Sequence, residues 1–95
     1  MGSKALIEAL IHVTGRVQGV GFRPFIYRLA AKQGLMGYVI NLGDAGVEIV
    51  VEGSKEKISC FISSIKREAP EVSEVKGVDV DYKPFRSRFK EFMID

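Results

Sequence analysis

Positions 15–25 read "GRVQGVGFRPF", with glycines at 15, 19 and 21 and arginines at 16 and 23. Glycine lets main-chain N–H groups converge where a Cβ would block approach, and the start of a helix adds positive potential. A stretch of this kind suits an anion, phosphate above all. Two nucleotide motifs can be tested against it, and both fail. A Walker loop requires Lys and Ser or Thr after its last glycine, and "GVGFRP" supplies neither. The dinucleotide fingerprint requires GxGxxG in a parallel βαβ unit, whereas Gly19 and Gly21 run into Pro24 and the next strands read as a hairpin. A plain strand-to-helix turn needs only about two to six residues. This segment runs from Thr14 to Phe22, is interrupted by Arg16 and Gln18 and is followed by Arg23, so an anion cradle is expected rather than a simple turn.

Few other residues offer chemistry. His12 stands alone in an apolar strand and reads as structural. Cys60 lies almost opposite the apolar stripe of its helix and reads as an exposed thiol with no activating neighbour. As the only cysteine it makes no internal disulfide, which fits a reducing compartment.

The elements that must position the cradle follow from periodicity. In "ALIEALIHV" (5–13) Ile7, Ala9, Ile11 and Val13 share one side at period two, while Leu6, Glu8, Leu10 and His12 make a mixed side, as in a strand with one face on a core. Phe22, Phe25, Ile26, Leu29 and Ala30 form a helix stripe, with Pro24 in its first turn and Gly34 just past its end. "LMGYVIN" (35–41) and "GVEIVVEG" (46–53) read as a hairpin around "LGDA". Ser54 caps a second helix with the stripe Ile58, Phe61, Ile62 and Ile65, and Pro70 ends it. A strand over 74–82 and a short edge strand over 91–94 complete the order. This β-α-β-β-α-β sequence predicts an α+β, ferredoxin-like fold: an antiparallel sheet with two helices on one face and a short C-terminal edge strand. Residues 1–95 are expected to form a single domain.

Composition excludes several classes. The 95 residues carry a net charge of +2 with acids and bases interspersed. Nucleic-acid binders concentrate their basic residues; here only "KPFRSRFK" (83–90) is basic, and it reads as a solvated surface turn. RNA and metal binding on this scaffold would show RNP1 aromatics or CxxC, and neither occurs. No apolar run is long enough to span a membrane, and "MGSKALIEAL" has no signal-peptide pattern, so a cytoplasmic location with no membrane partner is expected.

The motifs resemble those of the acylphosphatase family. "VTGRVQGVGFR" (13–23) fits the first signature: an apolar residue, x-G-x-V-Q-G-V-x, then Phe and Arg. "GYVIN" (37–41) fits the second, a glycine and an aromatic followed by an asparagine that closes the strand. The similarity covers essentially the whole chain. "VQGVGFRPF", "IYRLA", the "PF" at 84–85 and the final "EFMI" are most similar to one branch, the acylphosphatase-like N-terminal domain of the HypF carbamoyltransferases of hydrogenase maturation. Two departures stand out. The turn glycine of the hairpin is shifted by one position, to Gly46, and Ile40 replaces a common basic residue.

The resemblance implies hydrolysis of the carboxyl–phosphate bond of acyl phosphates, carbamoyl phosphate among them, to carboxylate and phosphate. Main-chain N–H groups of Gln18, Gly19, Val20, Gly21 and Phe22 would surround the phosphate, and Arg23 would clamp it with a planar, permanently charged fork. A cation at a helix start opposes the helix dipole, which itself argues for an anion nearby. Asn41 would hold the attacking water. Neither motif contains Asp, Glu or His as a general base, so a positioned water deprotonated by the substrate's own phosphate is expected to suffice, with no metal or other cofactor. The expected partners are a small acyl phosphate or inorganic phosphate, together with further domains of a larger maturation enzyme. The alternative is an anion-binding or docking module of such an enzyme, with little turnover of its own.

Overall fold

A computed structural model describes residues 5–19 and 21–95. Strand β1 (Leu6–Arg16) leads through the glycine-rich loop into helix α1 (Phe22–Gln33). Strand β2 (Met36–Asn41), a short 3-10 turn at Gly43–Ala45 and strand β3 (Val47–Ser54) form the hairpin. Helix α2 (Lys55–Arg67), β4 (Glu74–Pro84) and β5 (Phe92–Ile94) follow. The sheet order is β4-β1-β3-β2-β5.

Alternation along the strands sorts the side chains between the two faces. In the antiparallel β1–β3 pair Ala9, Ile11 and Val13 lie opposite Val51, Ile49 and Val47, and all six are fully buried. They pack beneath both helices, against Phe22, Ile26 and Ala30 of α1 and Ile58, Phe61 and Ile65 of α2. The predicted stripes are the buried faces, except that Ile62 is only partly covered. Both helix ends are made as their residue types require. The Ser54 hydroxyl accepts from Lys57 N–H at 3.3 Å, and past α1 the N–H groups of Gly34 and Leu35 return to Ala31 and Ala30.

Two features refine the expected sheet. The β4–β1, β1–β3 and β3–β2 pairs are antiparallel, but β5 runs parallel to β2, with Tyr38 beside Met93, so the five-stranded sheet is mixed. The β1–β4 ladder also shifts register between Thr14 and Gly15. At Gly15 a Cβ would lie 2.1 Å from the Glu74 carbonyl oxygen, a contact only glycine permits. This bulge lies where β1 gives way to the glycine-rich loop. No helix is long and apolar enough to cross a membrane among the described residues.

Candidate active site

The loop between β1 and α1 is anchored at both ends. Val17 is buried and its N–H donates to Gly15 O at 3.1 Å. At the other end Phe22 is buried, and its ring packs on Phe25 at 5.5 Å between centroids. Gly21 immediately precedes the helix with φ of 75°, and Gly19 has φ of 67°. Both are left-handed positions, which glycine adopts without strain. A Cβ at Gly21 would meet nothing within 4 Å, so glycine is required there by conformation and not by crowding. Among the described residues the N–H groups of Gln18, Gly19, Gly21 and Phe22 have no main-chain acceptor. Val20, expected in the same ring of donors, lies outside the described residues.

Electrostatics favour an anion at this point. The first turn of α1 contains no acidic residue, and Arg16 and Arg23 flank the loop in sequence. Unsatisfied N–H groups at a helix start carry a partial positive charge. Arg23, half-buried, donates from Nη1 to the main-chain oxygen of Asp95 at 2.7 Å.

Asn41 is the last residue of β2 and is exposed. Its Oδ1 accepts from Gly43 N–H at 2.8 Å, an Asx turn that fixes the amide and leaves the Nδ2 hydrogens for another acceptor. The shifted turn glycine shapes this loop: Gly46, with φ of 100°, donates to Gly43 O and accepts from Leu42 N–H.

Two contacts join the β1 strand and the loop after it to the hairpin. The Gln18 side chain of the loop donates to Gly46 O at 3.4 Å, and His12 Nε2 of β1 meets Ala45 O. A third link comes from β5. Asp95 N–H donates to Val39 O, two residues before Asn41, so the oxygen that holds Arg23 sits beside the end of β2. The chain thus draws Gln18, Gly19, Gly21, Phe22, Arg23 and the Asn41 turn to one end of the sheet. A shallow groove of about 460 Å³ adjoins them, lined by Tyr38, Ile40, Met93, Ile94 and Asp95. A larger groove of about 600 Å³ lies where Gln33 meets Lys55–Cys60, roughly 18 Å along α1 from the loop. Cys60 is exposed, as expected. Among the described residues no three His, Cys, Asp or Glu side chains group as a metal would require.

One cluster differs from its sequence reading. The basic 83–90 segment is not simply a solvated turn, because Arg86 and Arg88 reach Glu8 at 3.0 and 2.9 Å, and that carboxylate is 1% exposed. The signal was available in a lone acid within an apolar strand, Glu8, and two arginines two residues apart.

The family model described as acylphosphatase matches residues 9–94. The chain is 46% identical over 88 residues to the probable carbamoyltransferase HypF of Methanocaldococcus jannaschii, covering 93% of this chain and 11% of that protein. It is 44% identical over 70 residues to an acylphosphatase of Thermus thermophilus, covering 74% of this chain and 78% of the relative. The crystal structure of acylphosphatase from Bacillus subtilis superposes with a TM-score of 0.85 at 36% identity, over 95% of this chain and 98% of that one. The chain therefore spans a small part of the carbamoyltransferase and most of each acylphosphatase.

Proposed function

The chain belongs to the acylphosphatase family, hydrolases of acyl phosphates, and from that premise we propose which of its residues carry the reaction. The phosphoryl oxygens are bound by main-chain N–H groups of residues 18–22 and by the Arg23 guanidinium. The Nδ2 hydrogens of Asn41 hold a water opposite the leaving carboxylate. The water oxygen attacks phosphorus, the bond from phosphorus to the acyl oxygen breaks, and the carboxylate leaves with the electron pair. The water proton passes to a phosphoryl oxygen of the substrate. Phosphoryl transfer of this kind needs positioning and charge stabilisation more than covalent help, and a carboxylate is a good leaving group. The apolar groove at Tyr38, Ile40 and Met93 receives the acyl portion.

The observation that carries this reading is the array of N–H groups without main-chain acceptors at the start of α1, tied through Gln18 to the turn that begins at Asn41. The test is hydrolysis of benzoyl phosphate. Arg23→Ala and Asn41→Ala should stay folded by circular dichroism and lose about 10²–10³ in kcat/KM. Full activity in either variant overturns that residue's role.

A second reading has its own support in the 11% coverage of a carbamoyltransferase. As a module of such an enzyme the domain takes carbamoyl phosphate, or binds phosphate with negligible turnover. Rates on carbamoyl and benzoyl phosphate, measured beside phosphate affinity, distinguish these cases.

A further inference from the structure

β4 and β5 occupy opposite edges of the sheet, so residues 85–91 must cross it. They do so over the face away from the helices, where Glu8 of β1 and Glu52 of β3 stand directly opposite one another, 1% and 3% exposed. Two facing carboxylates so placed repel and are costly to bury unless compensated. The crossing segment compensates both, by different means. Glu8 takes side chains: Arg88 binds it with two parallel bonds of 3.2 and 2.9 Å, and Arg86 adds a third at 3.0 Å. Glu52 takes main chain, accepting the N–H groups of Arg86 at 3.4 Å and Arg88 at 3.1 Å. Between them Ser87 has φ of 53°, a left-handed turn that brings both N–H groups onto one carboxylate.

The segment then continues toward the site. Phe89 packs edge-on against Tyr38 at 5.8 Å, and the Tyr38 hydroxyl donates to Glu48 at 2.7 Å. Glu91 O accepts from Gly37 N–H, β5 begins, and Asp95, just past its end, has its main-chain oxygen on Arg23. A strand of three residues has few ladder bonds of its own. Buried Phe92, packed on Tyr27 of α1 at 6.1 Å, anchors its start, and the segment before it is the other hold on its position.

We propose that Glu8 and Glu52 are positioning residues for Arg23: by clasping residues 86–88 they fix β5, whose end orients the guanidinium toward the phosphate loop. This rests on the reading of Arg23 as the phosphate clamp, and the test separates the two.

Inorganic phosphate is the probe, as a bound ligand and as a competitive inhibitor of benzoyl phosphate hydrolysis. Glu8→Gln removes the charge of a buried group and can destabilise the fold, so Arg88→Ala, at a partly exposed side chain, is measured in parallel. Folding is checked by circular dichroism at the assay temperature. In folded protein each change should weaken phosphate binding and raise KM about tenfold or more, the effect of a small displacement far from the chemistry, and should shift the Arg23 Nε–H resonance. In an Arg23→Ala background the same changes should weaken phosphate no further. If Arg88→Ala lowers the melting temperature but leaves phosphate affinity and KM within twofold, or acts equally in both backgrounds, the positioning role is overturned and the clamp stands. If Arg23→Ala alone leaves phosphate affinity unchanged, the clamp fails and the inference falls with it.

Discussion

Glu8 feels two opposed influences on its charge. Burial pushes its carboxyl above the ordinary value of 4.5, and hydrogen bonds from Arg88 and Arg86 outweigh this and hold it below. A carboxylate with a depressed folded-state pKa stabilises the fold fully above its unfolded value. That stabilisation is lost as pH falls through the folded-state value. The gap in melting temperature between the parent and Glu8→Gln should therefore be widest near neutrality and narrow as the pH is taken to about 3. A gap that does not change with pH would assign the loss to packing. Tyr38 behaves in the opposite sense: burial and its bond to Glu48 push the phenol up to about 12. At this scale the sequence offers residues whose types suggest chemistry, such as the glycines and Arg23, and the structure places them at one end of the sheet. Glu8 shows in the sequence only as a lone acid in an apolar strand, because alternation places it on a face without saying whether anything covers that face. The strap that covers it comes from about eighty residues further along the chain.

Elements were more legible than contacts. Both helices, their caps and the four long strands follow from period and from residues with one strong preference, such as Ser54, Pro24 and Gly34. Less legible was the direction of β5, since a strand of three residues with only Phe92 buried looks alike in either sense. Its parallel pairing follows from the 85–91 segment having first crossed to the far edge. The bulge at Gly15 was equally hidden, since a glycine near a strand end has several readings. The loop-to-helix junction allows a test at this scale. Gly21→Ala should cost about 1–2 kcal/mol of unfolding free energy in urea, the penalty of a left-handed alanine, because the space before it is open. Gly34→Ala has the same backbone sign and equally open space at the other helix end. Phosphate affinity should fall with the first substitution and not with the second, which separates distortion of the loop from loss of stability.

For the molecule as a whole, ligand and fold are one equilibrium. A folded state that binds phosphate and an unfolded state that does not are separated by a further ~2.7 kcal/mol at one hundred times the dissociation constant. For a domain of this size that is a rise in melting temperature of roughly 10 °C or more. Phosphate should give this rise in the parent protein and little in Arg23→Ala; an equal rise in both would place the anion elsewhere. The small net charge of +2 makes the attraction local to the loop rather than a property of the whole surface. The sheet order also bears on the time at which the fold can form. Both outer strands, β4 and β5, come from the last quarter of the sequence, while the strands they flank, β1 and β2, come from the first half. During synthesis the hairpin and both helices emerge with the edges of the sheet still unpaired, and β1 waits for a partner whose Tyr82 lies opposite Ala9. Pairings so distant along the chain form slowly, and open edges invite pairing with other chains. The ribosome thus delivers the glycine-rich loop early and its companion strand late, so a nascent chain has this loop before it has the Asp95 oxygen that holds Arg23.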